Sequence, residues 1–281
     1  SQALLFQGGT LQIVSSATLQ AGALAPDAFA TAYGSGLATQ NEVAASPQTT
    51  LGGTTVTVRD STGVERAANL TYVSSEQVNF IIPAGTQTGN ATVTVRAANG
   101  ASSTGVIAIN AVAPAIFTTN GVVAGFALRV KADGQQTYES LSQPDAVTGQ
   151  NKAKAIDVGN PGESVYLCFY LTGIRNADSA QVRVFLGGDA YTPVFVGAVS
   201  PGLDQINLLL DAKLAGKGLL ELYVNAPNAS DSNLAQVELG GGVSALNVTG
   251  LSSETVLAGQ TLEISGVNLP RTPASQVWVT T

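Results

Sequence analysis

EQVNFIIP (Glu76–Pro83) and DQINLLLD (Asp204–Asp211) are two copies of one pattern: an acid, Gln, an aliphatic residue, Asn, then three apolar residues. The alternation places Gln77 and Asn79 on one face of a strand and Val78 and Phe80 on the other. Gln205 and Asn207 stand against Ile206 and Leu208 in the same way. After a glycine-containing turn each block is followed by a second strand, Ala91–Arg96 in the first copy and Leu219–Val224 in the second. A chain that writes the same two-strand unit twice, with period-two alternation, is expected to be all-β with internal repeats.

An earlier element also repeats. A strand Phe29–Tyr33 runs into Gly34, VYLCFYL (Val165–Leu171) runs into Gly173, and LAGQTLEISGVNLP (Leu257–Pro270) carries Gly266 at the matching point. These glycines are expected to serve as bulges or positive-φ turns leaving the strand. The third copy continues through SQVWVTT (Ser275–Thr281) and stops before a Gln-x-Asn block would occur. The expected architecture is therefore tandem immunoglobulin-like β-sandwiches with a partial third unit. Residues 1–22 read as an N-terminal extension with a strand, 23–112 as the first sandwich and 113–157 as a connecting hairpin and loop. Residues 158–240 read as the second sandwich and 241–281 as the incomplete unit. Further strands are expected at Thr10–Val14, Thr54–Val58, Asn69–Val73, Val78–Ile82 and Gly105–Ile109. Others are expected at Phe126–Val130, Thr137–Glu139, Gln181–Leu186, Thr192–Val196, Asp204–Leu210 and Leu234–Leu239.

Composition agrees. Of 281 residues, 44% are hydrophobic and only 11% charged, with 31 Gly and 11 Pro. That profile fits short strands joined by many turns rather than Lys/Glu-rich helices. The net charge is −7 with the 12 basic residues scattered, which argues against nucleic acid and against anionic membranes. No apolar run reaches the ~18 residues of a membrane-spanning helix. The chain begins Ser1-Gln2-Ala3 and holds no Met. Export with a signal peptide removed, to the cell surface or beyond, is the expectation.

Chemistry is scarce. The absence of His removes Ser-His-Asp and Cys-His nucleophile systems and most zinc sites. There is no phosphate-binding Gly-rich loop, no calcium loop and no acid pair that stands out for glycoside hydrolysis. The single Cys168 lies in an apolar run and reads as a small buried hydrophobe. No catalytic residue, metal or cofactor is expected. The Gln77/Asn79 and Gln205/Asn207 amides admit two readings: a ligand site, or an architectural tie from strand to neighbouring loop backbone. Repetition in both units favours the second.

IVSSATLQAGALAPDAFATAYGSGLA, YVSSEQVNFIIPAGTQTGNATVTV, VAPAIFT and GLDQINLLLDAKLAGKG together resemble a family of secreted bacterial β modules common in Acidobacteria. The resemblance covers roughly residues 11–240. Those modules usually close large exported proteins, whereas here further sequence follows. The third unit resembles the start of an IPT/TIG domain, an immunoglobulin-like fold of cell-surface proteins. The resemblance implies an extracellular β protein and carries over no catalytic residue.

The function expected from these features is non-enzymatic: a structural subunit of a surface filament, built head to tail by strand addition between neighbouring chains. Leu11 and Ile13 of the extension, with Leu262, Ile264 and Trp278 of the unfinished unit, are the expected inter-subunit strands. The alternative is an adhesin or carbohydrate-binding accessory module of a larger exported protein, with a glycan or another surface protein as partner.

Overall fold

A computed structural model of the chain describes residues 10–240, 247–251 and 264–267. Between Gln12 and Ile109 the sequence forms ten strands. They are β1 Gln12–Ser15, β2 Phe29–Tyr33, β3 Glu42–Gln48, β4 Thr50–Leu51 and β5 Thr54–Arg59, then β6 Glu65–Ala67, β7 Asn69–Val73, β8 Gln77–Ile81, β9 Gly89–Arg96 and β10 Ser102–Ile109. One sheet runs β1-β2-β8-β7-β3. The other runs β10-β9-β5-β4, with β6 beside β5. Alternation decides which side chains meet between them: Ala30, Ala32, Leu70, Val78 and Phe80 of the first sheet pack with Val56, Val58, Val93 and Val95 of the second.

The N-terminal strand belongs to this core. β1 pairs antiparallel with β2, Ile13 opposite Ala32, and Leu11 N–H donates to Thr104 O of β10 at 2.9 Å. Leu11 and Ile13 are buried with the rest of the core. The expected role of these two residues in a neighbour's sheet is therefore corrected. They close the open end between the chain's own two sheets, where leaving them in water would forfeit their burial.

Fifteen strands build the second unit. They are β11 Ala115–Ile116, β12 Thr118–Thr119, β13 Val122–Val123, β14 Gly125–Val130 and β15 Gln136–Ser140, then β16 Ser142–Pro144, β17 Asn151–Ala153, β18 Ile156–Asp157, β19 Ser164–Thr172 and β20 Arg183–Leu186. Next come β21 Asp189–Tyr191, β22 Phe195–Ser200, β23 Leu203–Leu209, β24 Gly218–Asn225 and β25 Ala235–Gly240. One sheet runs β15-β14-β19-β23-β22 with β11 on β19. The other runs β12-β13-β25-β24-β20-β21 with β18 on β25.

Residues 113–157 are thus more than a connector. The expected hairpin is there as β14 and β15, but β14 zips along β19, and β13 and β18 pair parallel with β25. Ile116, Val123, Ala127, Leu141 and Ile156 lie in the second core. Without them β19 and β25 would each present a bare row of N–H and C=O groups. The loop expected after that hairpin is largely the β16–β17 hairpin, its turn held by Asp145 accepting from the Val147 and Thr148 amides. The expected strand Thr192–Val196 forms only in its last residues, and Thr192–Val194 cross from one sheet to the other. Pro193 lacks an N–H for a ladder, and β22 begins only at Phe195.

Asp211–Gly216 contributes one 3₁₀ turn, Ala212–Leu214, capped by the Asp211 carboxylate. In the third unit β26 Asn247–Leu251 pairs antiparallel with β27 Ile264–Val267. Ile264 and Gly266 lie in β27, opposite Leu251 and Val248. Leu262 and Trp278 lie outside the described residues. Among the described residues no helix is long and apolar enough to cross a membrane.

Candidate binding groove between the two sandwiches

The two units meet through short, specific contacts. Phe29 N–H donates to Thr172 Oγ1 at 2.9 Å, and that hydroxyl donates to Gly202 O at 2.7 Å. Gly202 has φ +76°, and a Cβ built there would lie 2.7 Å from the Phe29 ring. Phe29 therefore rests on bare backbone. Gly173, one of the repeat glycines, has φ +79°, and a Cβ there would run into Ala113 O. Gly34 at the equivalent place has no positive φ. It is crowded instead by Leu37 and Leu11, whose Cδ2 atoms would lie 3.0 and 3.1 Å from a Cβ.

Phe29 stands edge-on to Phe117, ring centroids 6.4 Å apart at 78°. Around this pair opens a groove of about 520 Å³. Its floor in the first unit is Ser16, Thr71 and Asn79; its far wall in the second is Phe117, Tyr170 and Leu203. The size falls within the ~300–1,000 Å³ range of small-ligand sites. No Asp, Glu, Lys or Arg lines it.

The Gln-x-Asn blocks face outward from their sheets. Gln77 Nε2 donates to Asn79 Oδ1 at 2.8 Å, and Gln205 Nε2 donates to Asn207 Oδ1 at 2.6 Å. In the first unit Thr31 Oγ1 also donates to Asn79 Oδ1 at 3.1 Å, and Ser16 Oγ lies 2.8 Å from Thr31 Oγ1. The expected tie from these amides to loop backbone does not form; each pair bonds within itself. The Asn79 carbonyl oxygen is used twice, while its NH₂ has no hydrogen-bond partner among the described residues. The structure thus brings Asn79 to the groove and sets Gln205 directly across the strand from Tyr170. Sequence reasoning missed Phe29, Tyr170, Ser16 and Thr31 as site residues. Phe117 lies inside VAPAIFT, the one signal that pointed near it.

The buried charges serve architecture. Asp204, fully buried, accepts from the Ile174 and Arg175 amides at 3.0 and 3.2 Å and from Arg175 Nε at 2.7 Å. Burial pushes its carboxyl upward, against the pull of those donors. Arg175 in turn donates to Ser200 O and Leu203 O, pinning the turn that carries Gly202. In the first unit Asp60 accepts from the Thr62 hydroxyl, the Thr62, Val64 and Gln87 amides and Arg66. The Thr62 hydroxyl foremost, with Arg66 and the amides, holds its carboxyl well below the usual range in spite of burial. Cys168 is buried and its thiol is pushed up to about 11, so it carries no reactive thiolate at neutral pH. Among the described residues no cluster of His, Cys, Asp and Glu could hold a metal.

No family model and no curated protein matches this chain. Solved structures resemble it weakly. The Bacteroides ovatus mixed-linkage glucan utilization locus SGBP-B, solved with a mixed-linkage heptasaccharide, is 10% identical at TM-score 0.30, with 84% of this chain and 49% of that one covered. A tetra-tandem repeat from the extending region of a large adhesion protein is 14% identical at TM-score 0.22, covering 88% and 78%. Yersinia pseudotuberculosis InvD is 13% identical at TM-score 0.22, covering 90% and 64%. The chain spans about half the length of the first of these. Likeness at this level assigns neither a site nor a ligand.

Proposed function

We propose that this chain is a non-enzymatic binding module of an exported bacterial surface protein, of the secreted Acidobacteria type with an IPT/TIG-like unit following. Its ligand is a neutral carbohydrate held in the groove between the sandwiches. The observation that carries this reading is the chemistry of the lining. Aromatic rings of Phe29, Phe117 and Tyr170 face an amide and hydroxyls, with no ionic group between them. Sugar rings present apolar C–H faces and hydroxyl edges, which match rings and amides respectively. The unused Asn79 NH₂ supplies a donor, and the Ser16 hydroxyl supplies a donor and acceptor. A chain of net charge −7 with no basic residue at the site offers nothing to an anion.

The test is binding of the whole chain to a panel of immobilised neutral polysaccharides: glucans, mannans, xylans and galactans. At least one is expected to retard the protein, and Phe117→Ala and Asn79→Ala are each expected to weaken that binding roughly tenfold, about 1.4 kcal/mol. Retardation by none of them, or retention unchanged in both variants, overturns the reading.

Self-association is a second reading, favoured by one observation. β22 ends its sheet, and residues 194–200 hold no charge, with Val194, Phe195 and Val199 exposed. Such an edge can accept a strand from a second copy of the chain.

A further inference from the structure

Beyond the groove, a row of aromatic rings continues from Tyr170. Tyr170 is followed across the sheet by Phe126, centroids 6.2 Å apart, and Phe126 by Tyr138 at 5.4 Å. The three residues sit on β19, β14 and β15, and the strand register puts all of them on the outer face. Phe126 pairs with Cys168, two residues from Tyr170, and with Ser140, two residues from Tyr138. The inner face of the same strands carries Ala127, Leu167 and Phe169, all in the core. Tyr138, at the end of the row, is 66% exposed.

An aromatic row on a solvent face needs a reason, because the core gains nothing from it. On β5 and β9 of the first unit the outer face is polar, with Thr55, Thr57, Thr92 and Thr94 turned away from the core, and on the other sheet of the second unit the outer face carries the stacked pair Phe185 and Tyr223 but no row of three rings. Beside the row stand Gln205, opposite Tyr170, and Asn207, opposite Cys168, paired with each other and leaving the Gln205 carbonyl and the Asn207 NH₂ without partners among the described residues. The row is therefore of one kind with the groove: rings flanked by amide donors and acceptors, repeated along a line.

We infer that the ligand is an extended polysaccharide chain, which enters the groove at Phe29 and Phe117 and continues over Tyr170, Phe126 and Tyr138. This inference rests on the carbohydrate reading of the groove and adds its length and direction. A single sugar or disaccharide would fill the groove and leave the outer rings unused. A longer chain gains one stacked unit after another, so affinity rises with length until the row is covered. The two Gln-x-Asn blocks then act as corresponding hydrogen-bonding stations, one in each sandwich.

The experiment is calorimetric titration of the full chain with oligosaccharides of increasing length, cut from whichever neutral polysaccharide retards it. Affinity is expected to climb at least tenfold between the disaccharide and the longest oligomers. Tyr138→Ala, at an exposed edge, is expected to lower affinity for long oligomers about tenfold and to leave the disaccharide unchanged. Tyr223→Ala serves as an aromatic control: Tyr223 stacks on Phe185 at 4.7 Å on the other sheet of the same unit and touches neither groove nor row. It is expected to bind as the wild type does. If Phe117→Ala abolishes binding while affinity is flat with length and Tyr138→Ala is silent, the row is not a subsite and only the groove reading stands. If no neutral saccharide of any length binds, both fall together.

Discussion

Asp60 shows how a single buried carboxylate organises a turn. Five donors converge on it, so the ionised form is favoured in the folded chain over the unfolded one. Its native pKa lies below the ordinary value of 3.8. Stability from this group is therefore fully present above the ordinary value and is lost as pH falls through the native one. Asp60→Asn is expected to melt lower than the wild type at neutral pH, with the gap closing in acid below about pH 4. Thermal denaturation across pH reads this directly; a gap that widens in acid would contradict it. Gly202 is the other decisive single residue. Gly202→Ala sets a side chain at φ +76° and 2.7 Å from the Phe29 ring. It is expected to cost about 1–3 kcal/mol from the backbone conformation alone. Because Phe29 must move, it should also weaken polysaccharide binding, while Gly188→Ala, with φ +92° and open space around its Cβ, should lower stability only.

Among the strands, β1 distinguishes two pictures of the N-terminal segment. If it were a free donor, shortening its side chains would leave the fold intact. Instead Leu11 and Ile13 lie in the first core. Leu11→Ala and Ile13→Ala are each expected to cost about 2–5 kcal/mol. Urea denaturation measures this, and a midpoint unchanged in both would restore the donor picture. β1 also shows where reading a strand from sequence stops. Its existence was legible, because Leu11, Gln12 and Ile13 alternate. Its partner was not, because alternation names a face and says nothing about which ladder receives it. β2 and β7 were legible to the residue: Pro26 marks the approach to the first, and Leu70, Tyr72 and Val73 mark the second even though a bulge between Leu70 and Tyr72 breaks its alternation. β3 was invisible: Pro47 sits inside it, and its residues are exposed or half-exposed along the whole strand, so neither propensity nor period marks it. The strands β11, β13 and β18 hold two residues each, too few to show a period, and the ladders of β19 and β25, with β12 beside β13, define them.

For the molecule as a whole, the question is whether copies associate. The β22 edge predicts antiparallel pairing with a second chain, and Val199→Lys should block it by placing charge on the shared edge. Sedimentation over a range of concentrations is expected to show association in the wild type and none in Val199→Lys. A wild type that remains monomeric throughout removes this surface as an interface, and leaves the groove reading untouched.

The candidate site divides in the same way. Gln77, Asn79, Gln205 and Asn207 stood out because they repeat, and period two put each pair on one face. Phe29, Phe117 and Tyr170 lie far apart in the chain, each inside a different apolar stretch, and nothing local marks them as neighbours. The amino-acid order alone determined that the described residues form a β protein and that the chain writes its strand unit more than once. Those properties follow from composition and from side-chain alternation, which act within a few residues. Tertiary structure alone decided that β1 closes its own sandwich, that residues 113–157 complete the second, and that three distant rings line one groove with Asn79. Those outcomes depend on which unpaired backbone edge and which bare apolar face each segment finds, and such pairings act across the whole chain.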